Sequence, residues 1–313
     1  MSLTPIATIT LNASVDTTYL LPRLEHGGIA VVDRKEAVAG GKGNNVARVL
    51  TTLGQPAIAT GFVGGDAGRF IEESLRAAGI ATAFHHVSGE SRTCLTIVEE
   101  ANGTVSEIRE RGEVVRPEDG AAFLRAAPTL VGAARWAVLS GSLPPGLPAD
   151  YYARLVAALK AAGLRVVLDA SGEPAALALA AGPDVIAPNL EELSALVGRP
   201  VAVEDAVAAA HSLFDRLGSD AVVLVTFGAG GAALVRRDRA LTAGAATVDA
   251  INPVGAGDAF LAGYVAAAAG GADDATALRA AVATGSAATL QTRIGVVDPA
   301  DVARLCDLVG VVG

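Results

Sequence analysis

The stretch INPVGAGDAFLAGYV, residues 251–265, sets Asp258 directly behind Gly255, Ala256 and Gly257, in front of an apolar helical run. Small residues permit a tight turn, and a helix starting here would leave its first N–H groups without intrahelical partners. Such groups converge as a nest for an anion. A phosphoryl group in transfer spreads charge over its equatorial oxygens, which the nest would stabilise. Asp258 beside it could accept the proton of an attacking hydroxyl. The same residues also suit a plain turn and helix cap, so the motif alone leaves both readings open.

A second glycine-rich stretch, AGGKGNNVARVLTTLG at residues 39–54, surrounds Lys42 with Gly40, Gly41 and Gly43 just before a helix. It favours close approach of an anion to backbone, but it is not a Walker A loop, because Gly43 follows Lys42. In APNLEEL (187–193), Asn189 and Glu192 occupy the Ncap and N3 positions of a helix. That spacing suits a capping box. At the C-terminal edge of a parallel strand it would equally suit the ordering of water around a magnesium–phosphate complex. VLVTFGAGGAALV imitates a dinucleotide fingerprint with Gly228, Gly230 and Ala233. The fingerprint must open a helix, whereas GAALVRRD reads as another strand, which argues against a nicotinamide cofactor.

These motifs need a scaffold, and the chain supplies an alternating one. IATITL, AIATGFVGG, WAVLSG, LRVVLDAS, DVIAPN and AVVLVTFG read as short apolar strands. NVARVLTTLG, GRFIEESLRAAG, ADYYARLVAALKAAG, EPAALALAAG, LEELSALVG and AVEDAVAAAHSLFDRLG read as helices. The pattern predicts an α/β chain with a mostly parallel sheet covered on both faces. Residues 14–39 and 92–111 break the rhythm: they carry strand-like pieces, and Asn102-Gly103 supplies a hairpin turn. They predict a small antiparallel sheet, inserted as a lid within one domain spanning 1–313. Its edge strands invite pairing, so a homodimer through the lid is expected.

Composition narrows the chemistry further. The formal net charge of −9 lacks the basic footprint of a nucleic-acid binder, although a few local cations can still hold an anionic substrate. No apolar run reaches bilayer length, and no signal peptide is visible, so a cytoplasmic location without membrane attachment is expected. Cys94 and Cys306 fit no zinc or redox spacing, and His26, His85, His86 and His211 fit no metal-ligand spacing.

Taken together, the segments resemble the ribokinase-like sugar kinases, specifically the phosphofructokinase-B branch. GGKGNNVARVLTTLG is similar to that family's N-terminal signature, NPVGAGDAFLAGYV to its C-terminal one, and Asn189-x-x-Glu192 to its magnesium motif. TLNASVD resembles its opening strand with a substrate-binding acid, here Asp16. The resemblance runs from about residue 6 to about 298 and implies an α/β/α sandwich with a small β lid. It further implies ATP- and Mg²⁺-dependent phosphorylation of an alcohol, with Asp258 as base and Gly255, Ala256, Gly257 and Asp258 forming the anion hole.

SGSLPPG, DASGE and TLNASVD resemble the hexose-phosphate kinases within that branch. The resemblance implies that Lys42 and Arg92 hold a substrate phosphate, while Asp16, Gly40, Gly41, Asn45 and Ser140 line the sugar. Asn189, Thr226, Gly228 and Gly285 would face the nucleotide, with Asn189 and Glu192 acting on magnesium through water. A monovalent cation near Asp249 and Ile251 occurs in some relatives. A ketohexose phosphate kinase of the 1-phosphofructokinase type is therefore expected. The alternatives are a 6-phosphofructokinase, a tagatose-6-phosphate kinase, a kinase of a free sugar or nucleoside, and a non-catalytic sensor. Ala187 stands where the branch commonly has Lys, and Ala259-Phe260 where it often has Ser-Met.

Overall fold

The computed structural model describes residues 3–313. In chain order it begins with β1 (Ile6–Thr10), β2 (Ser14–Leu21), β3 (Arg34–Gly40), α1 (Lys42–Thr52), β4 (Ala57–Gly64) and α2 (Gly65–Ala77). There follow β5 (Ala81–Thr82), β6 (His85–Val87), β7 (Arg92–Glu99), β8 (Val105–Arg109), α3 (Pro117–Leu130), β9 (Trp136–Ser140) and α4 (Tyr151–Ala161). The next elements are β10 (Arg165–Asp169), α5 (Gly172–Ala178), β11 (Val185–Ile186), α6 (Leu190–Val197), α7 (Ala206–His211) and β12 (Val222–Thr226). The chain closes with β13 (Ala232–Val235), β14 (Ala240–Ala243), α8 (Ala256–Ala269), α9 (Asp274–Thr289), α10 (Pro299–Cys306) and β15 (Val311–Val312).

The main sheet runs β15-β14-β13-β12-β11-β10-β9-β1-β4-β5, with β6 also paired to β4. From β12 to β5 every pairing is parallel, while β12 through β15 pair antiparallel. The two faces of β1 explain the apolar runs. Ile6 joins a core under α1, α8 and α9, whereas Ala7 and Ile9 join a second core on the opposite face with α3 and α4. Alternating Cβ directions thus require apolar residues at nearly every position. The strand order reverses at β1, where the chain leaves toward β4 on one side and returns through β9 on the other. In open α/β sheets, ligands bind at the carboxyl edge of such a switch point. Thr10, Ser140 and Asp169 are the last residues of the three strands there.

The Ala-rich C-terminal helices pack through their small residues. A Cβ on Gly263 would lie 2.5 Å from Thr284 Oγ1, and one on Gly285 would lie 3.2 Å from Ala256 O. Close helix approach, rather than a large aliphatic stripe, buries α8 against α9. The region 202–218 departs from the single helix expected. Short 3₁₀ turns at Val203–Asp205 and Ser212–Asp215 bracket α7. Ser212 Oγ donates to Ala209 O at 2.7 Å, a local bond that competes with continued α-helix.

The lid is a separate four-stranded sheet in the order β3-β2-β7-β8. Its outer pairs are antiparallel, but its central pair, β2 with β7, is parallel. The segments come from distant parts of the chain, so no hairpin forces their direction. Within residues 14–39 the second strand-like piece begins only at Arg34, and ahead of it Ile29 and Val31 stand 98% and 77% exposed. No helix among the described residues is long and apolar enough to cross a membrane.

Candidate active site

Between the lid and the carboxyl edge of the main sheet lies a cavity of about 910 Å³. Lys42, Asn45, Ser140, Asn189, Thr226 and Asp258 all line it, as do Asp16 and Arg92 from the lid. Gly41, Gly255, Gly257 and Glu192 complete the predicted residues that reach it. Segments far apart in the chain, Asn45 and Asp258 among them at 213 residues, are therefore brought to one place by strand ends and helix starts.

Gly255 takes the left-handed conformation, φ 82°, as Ncap of α8, and no side chain caps the helix. A Cβ there would come within 2.6 Å of Ile294 Cγ2, so the turn needs glycine for space as well as for φ. Ala256 N reaches Pro253 O at 3.3 Å, whereas the Gly257 and Asp258 N–H groups have no acceptor among the described residues. These are the free donors an anion requires. Asp258 is 6% exposed and its Oδ2 accepts from Asn45 Nδ2 at 2.7 Å. Burial, followed by the nearby Asp169 carboxylate, pushes its pKa up to about 7, although Lys42, Asn45 and Arg48 pull the other way. A carboxylate so tuned is a competent base at neutral pH.

Gly40 and Gly41 make the entrance to α1. A Cβ on Gly40 would lie 2.1 Å from the Asp16 carboxylate, so glycine lets that lid acid come down onto the loop. Gly41 is Ncap of α1 with φ 100°, again without a side-chain cap. Asp16 Oδ1 accepts from Ser14 Oγ at 2.6 Å. Ser140 Oγ is buried with no partner among the described residues, as expected of a hydroxyl that meets a ligand.

Lys42 does not stand free. Its Nζ donates to Asp169 Oδ1 at 3.1 Å across the cavity floor. Burial opposes its charge, yet Asp169, Asp258 and Glu192 outweigh burial and hold its pKa above the ordinary lysine value. Arg92 donates from Nε to Asn12 O and from Nη1 to Glu110 O, each at 3.1 Å, leaving Nη2 without an acceptor among the described residues. Arg34, Arg109 and Arg293 also line the cavity on the lid side. Their signal in the sequence is weak, since solvated arginines look the same.

The residues expected to face the nucleotide are only partly brought together. Thr226 ends β12 and bridges to Asn189. Gly228 opens an exposed 3₁₀ turn that leads into β13 with no helix, which rules out the dinucleotide fingerprint. Gly285 does not reach the cavity. It is buried between α9 and α8, where a Cβ would meet Ala256 O and Phe260 Cβ at 3.2 Å. Asn45, expected on a sugar hydroxyl, spends its amide on Asp258 and Arg48. Asp169, quoted only inside DASGE, and Arg48 are participants that sequence reasoning missed. Arg48 stands three residues beyond Asn45 on the same helix face, and a charge on that buried face was the available signal.

A family model for the pfkB family carbohydrate kinases matches residues 9–300. The chain belongs to that family. It is an ATP-dependent carbohydrate kinase by membership. Among solved structures it is similar to Escherichia coli phosphofructokinase-2, at 28% identity over 98% of this chain and 99% of that one. The TM-score is 0.92 for the potassium complex and 0.89 for the complex with fructose-6-phosphate. A possible 1-phosphofructokinase from Thermotoga maritima is 27% identical, covers 98% of both chains and has a TM-score of 0.86. An Arabidopsis thaliana ribokinase complexed with ribose and ATP shares the fold, at 23% identity, TM-score 0.77, and 97% and 99% coverage. In this pfkB kinase the described residues hold no cluster of three or more His, Cys, Asp or Glu suited to a metal.

Proposed function

We propose that this kinase transfers the γ-phosphoryl group of ATP to a hydroxyl of a ketohexose phosphate, in the manner of a 1-phosphofructokinase forming fructose 1,6-bisphosphate. The observation that carries the reading is the placement of buried Asp258 at the uncapped start of α8, in one cavity with Lys42 and Arg92. The acceptor oxygen attacks the γ-phosphorus, its proton passes to Asp258, and the bond to the bridging oxygen breaks to release ADP. The Gly257 and Asp258 N–H groups stabilise the charge on the transferring oxygens.

Two features support a phosphorylated acceptor. Arg92 keeps one guanidinium nitrogen unengaged, and Lys42 is poised to exchange its Asp169 partner for a phosphate. Paired cations are the natural receptor for a dianion. Asp16 and Ser140 would hold sugar hydroxyls. Thr226 would face the nucleotide, and Glu192 Oε1, left over from the backbone bond of Oε2, would receive a water of a magnesium ion, which would neutralise the phosphates. A monovalent cation by the Asp249–Ile251 loop and a homodimer through the lid belong to the same reading.

The test is ADP release with Mg·ATP across fructose 1-phosphate, fructose 6-phosphate, tagatose 6-phosphate, fructose, ribose and adenosine. One preferred ketose phosphate is expected, and Lys42→Ala should raise its KM by more than that of ATP. Turnover with an unphosphorylated acceptor alone would remove the Lys42–Arg92 receptor and leave the Asp258 chemistry.

A further inference from the structure

Arg48 sits beneath the site and does not line the cavity, yet its guanidinium ties three segments together. Nη1 donates to Ala39 O at 2.5 Å, at the strand that enters from the lid. Nη2 donates to Asn45 Oδ1 at 2.6 Å and to Ile294 O at 3.3 Å, in the loop after α9. Gly295 closes over it, with φ 71°, and a Cβ there would lie 2.8 Å from Arg48 Nε.

The consequence runs through the Asn45 amide. Its oxygen accepts from the guanidinium, so its Nδ2 must face Asp258 Oδ2, 2.7 Å away. Turning the amide over would set an N–H₂ donor against a second donor and leave Asp258 without its bond. With Oδ2 held, Oδ1 of Asp258 has no partner among the described residues and is the oxygen left for an incoming hydroxyl.

We propose that Arg48 is a positioning residue for phosphoryl transfer: through Asn45 it selects the carboxylate oxygen of Asp258 that receives the proton, and through Ala39 and Ile294 it ties that orientation to the lid strand and the loop after α9. The proposal rests on Asp258 as the base. Lysine cannot replace this function, because one ammonium lacks the planar fork that reaches several carbonyl acceptors at once.

Charge gives a second readout. Asp258 faces Asp169 from β10 and Lys42 and Arg48 from α1, while Arg48 itself faces Asp16 from β2 and Arg293 from the loop after α9. Glu192 from α6 acts on Lys42. Burial pushes the guanidinium down to about 10, so it remains charged at neutral pH. Its removal withdraws a cation that favours ionised Asp258, which should shift the acid limb of the rate profile upward.

The experiment compares kcat, KM and pH profiles of the full chain carrying Arg48→Lys, Arg48→Met, Asn45→Ala, and Arg48→Lys with Asn45→Ala. Asp258→Asn serves as reference, and thermal melting checks folding. Arg48→Lys should lower kcat about 10- to 100-fold, as misplacement of a reacting group does, with KM for ATP within about twofold. Arg48→Met should raise the acid-limb pKa. Adding Arg48→Lys to Asn45→Ala should slow the enzyme little further, since both act through one amide. Wild-type kcat and acid limb in Arg48→Lys, beside an inactive Asp258→Asn, would overturn the positioning role. Multiplicative losses in the double variant would do the same, and would decide the matter even if Arg48→Met fails to fold. Full turnover by Asp258→Asn would instead overturn the base itself.

Discussion

Two helices begin at the same edge of the main sheet, and each carries an acid at its third position. At α6, Asn189 is extended and its Oδ1 accepts from Glu192 N at 2.9 Å, while Glu192 Oε2 accepts from Asn189 N at 3.0 Å. The box closes on itself. At α8, Gly255 is left-handed and offers no side chain, and Asp258 turns instead to Asn45. Its N–H groups stay open. One acid is long enough to reach back to the cap, and the other has no cap to complete. A helix start keeps free donors when its own side chains leave it unfinished. Both acids are raised, first by burial and also by the Asp169 carboxylate; Asp258 is the more deeply buried of the two and is pushed up to about 7.

That contrast can be broken most severely at α8. Asp258→Asn should lower kcat by about 10³-fold, within the range for loss of a positioned base, while nucleotide binding persists. Steady-state kinetics with a binding isotherm would show both. In the wild type, kcat/KM should fall about tenfold per pH unit below about 7, since only ionised Asp258 takes a proton. The stability sign is opposite. A folded-state pKa above the unfolded one favours the protonated form, so that contribution is present at low pH and lost as pH rises through about 7. Asp258→Asn should therefore raise Tm relative to wild type more at pH 8 than at pH 5; equal shifts would show that Asp258 is not desolvated.

A smaller effect is expected from Gly257→Pro, which deletes one donor within the first turn, where helices tolerate proline. Loss of one such donor should cost about 10²-fold in kcat, with Tm near wild type. A large fall in Tm with kcat unchanged would make this nest structural, like the start of α6.

At α6 the two roles can be separated. Asn189→Ala should destabilise the fold by about 1 kcal/mol, read by denaturant titration, through loss of the cap. Glu192→Gln preserves a capping partner at N3 and should leave stability nearly unchanged, yet raise the Mg²⁺ concentration for half-maximal rate. An unchanged Mg²⁺ dependence would leave α6 with its cap alone.

The features readable along the chain are those whose physics is local. Glycine at Gly41 and Gly255, the Asn189–Glu192 spacing, and Asp258 at a helix start follow from backbone freedom and capping within a few residues. The two-faced apolar strands announced a parallel sheet, because alternating Cβ directions must both be buried. The parallel β2–β7 pair was not legible, since nothing local aligns segments so far apart. The packing role of Gly285 was hidden too, for a helix glycine does not reveal which neighbour approaches it.

Asn45 and Asp258 are 213 residues apart, and Lys42 and Asp169 are 127. Residue types alone offered Asp258 as an ordinary acid and Lys42 as a free cation. The fold buried the first, raising its pKa to about 7, and gave the second a partner, because desolvation and charge pairing depend on what surrounds a side chain.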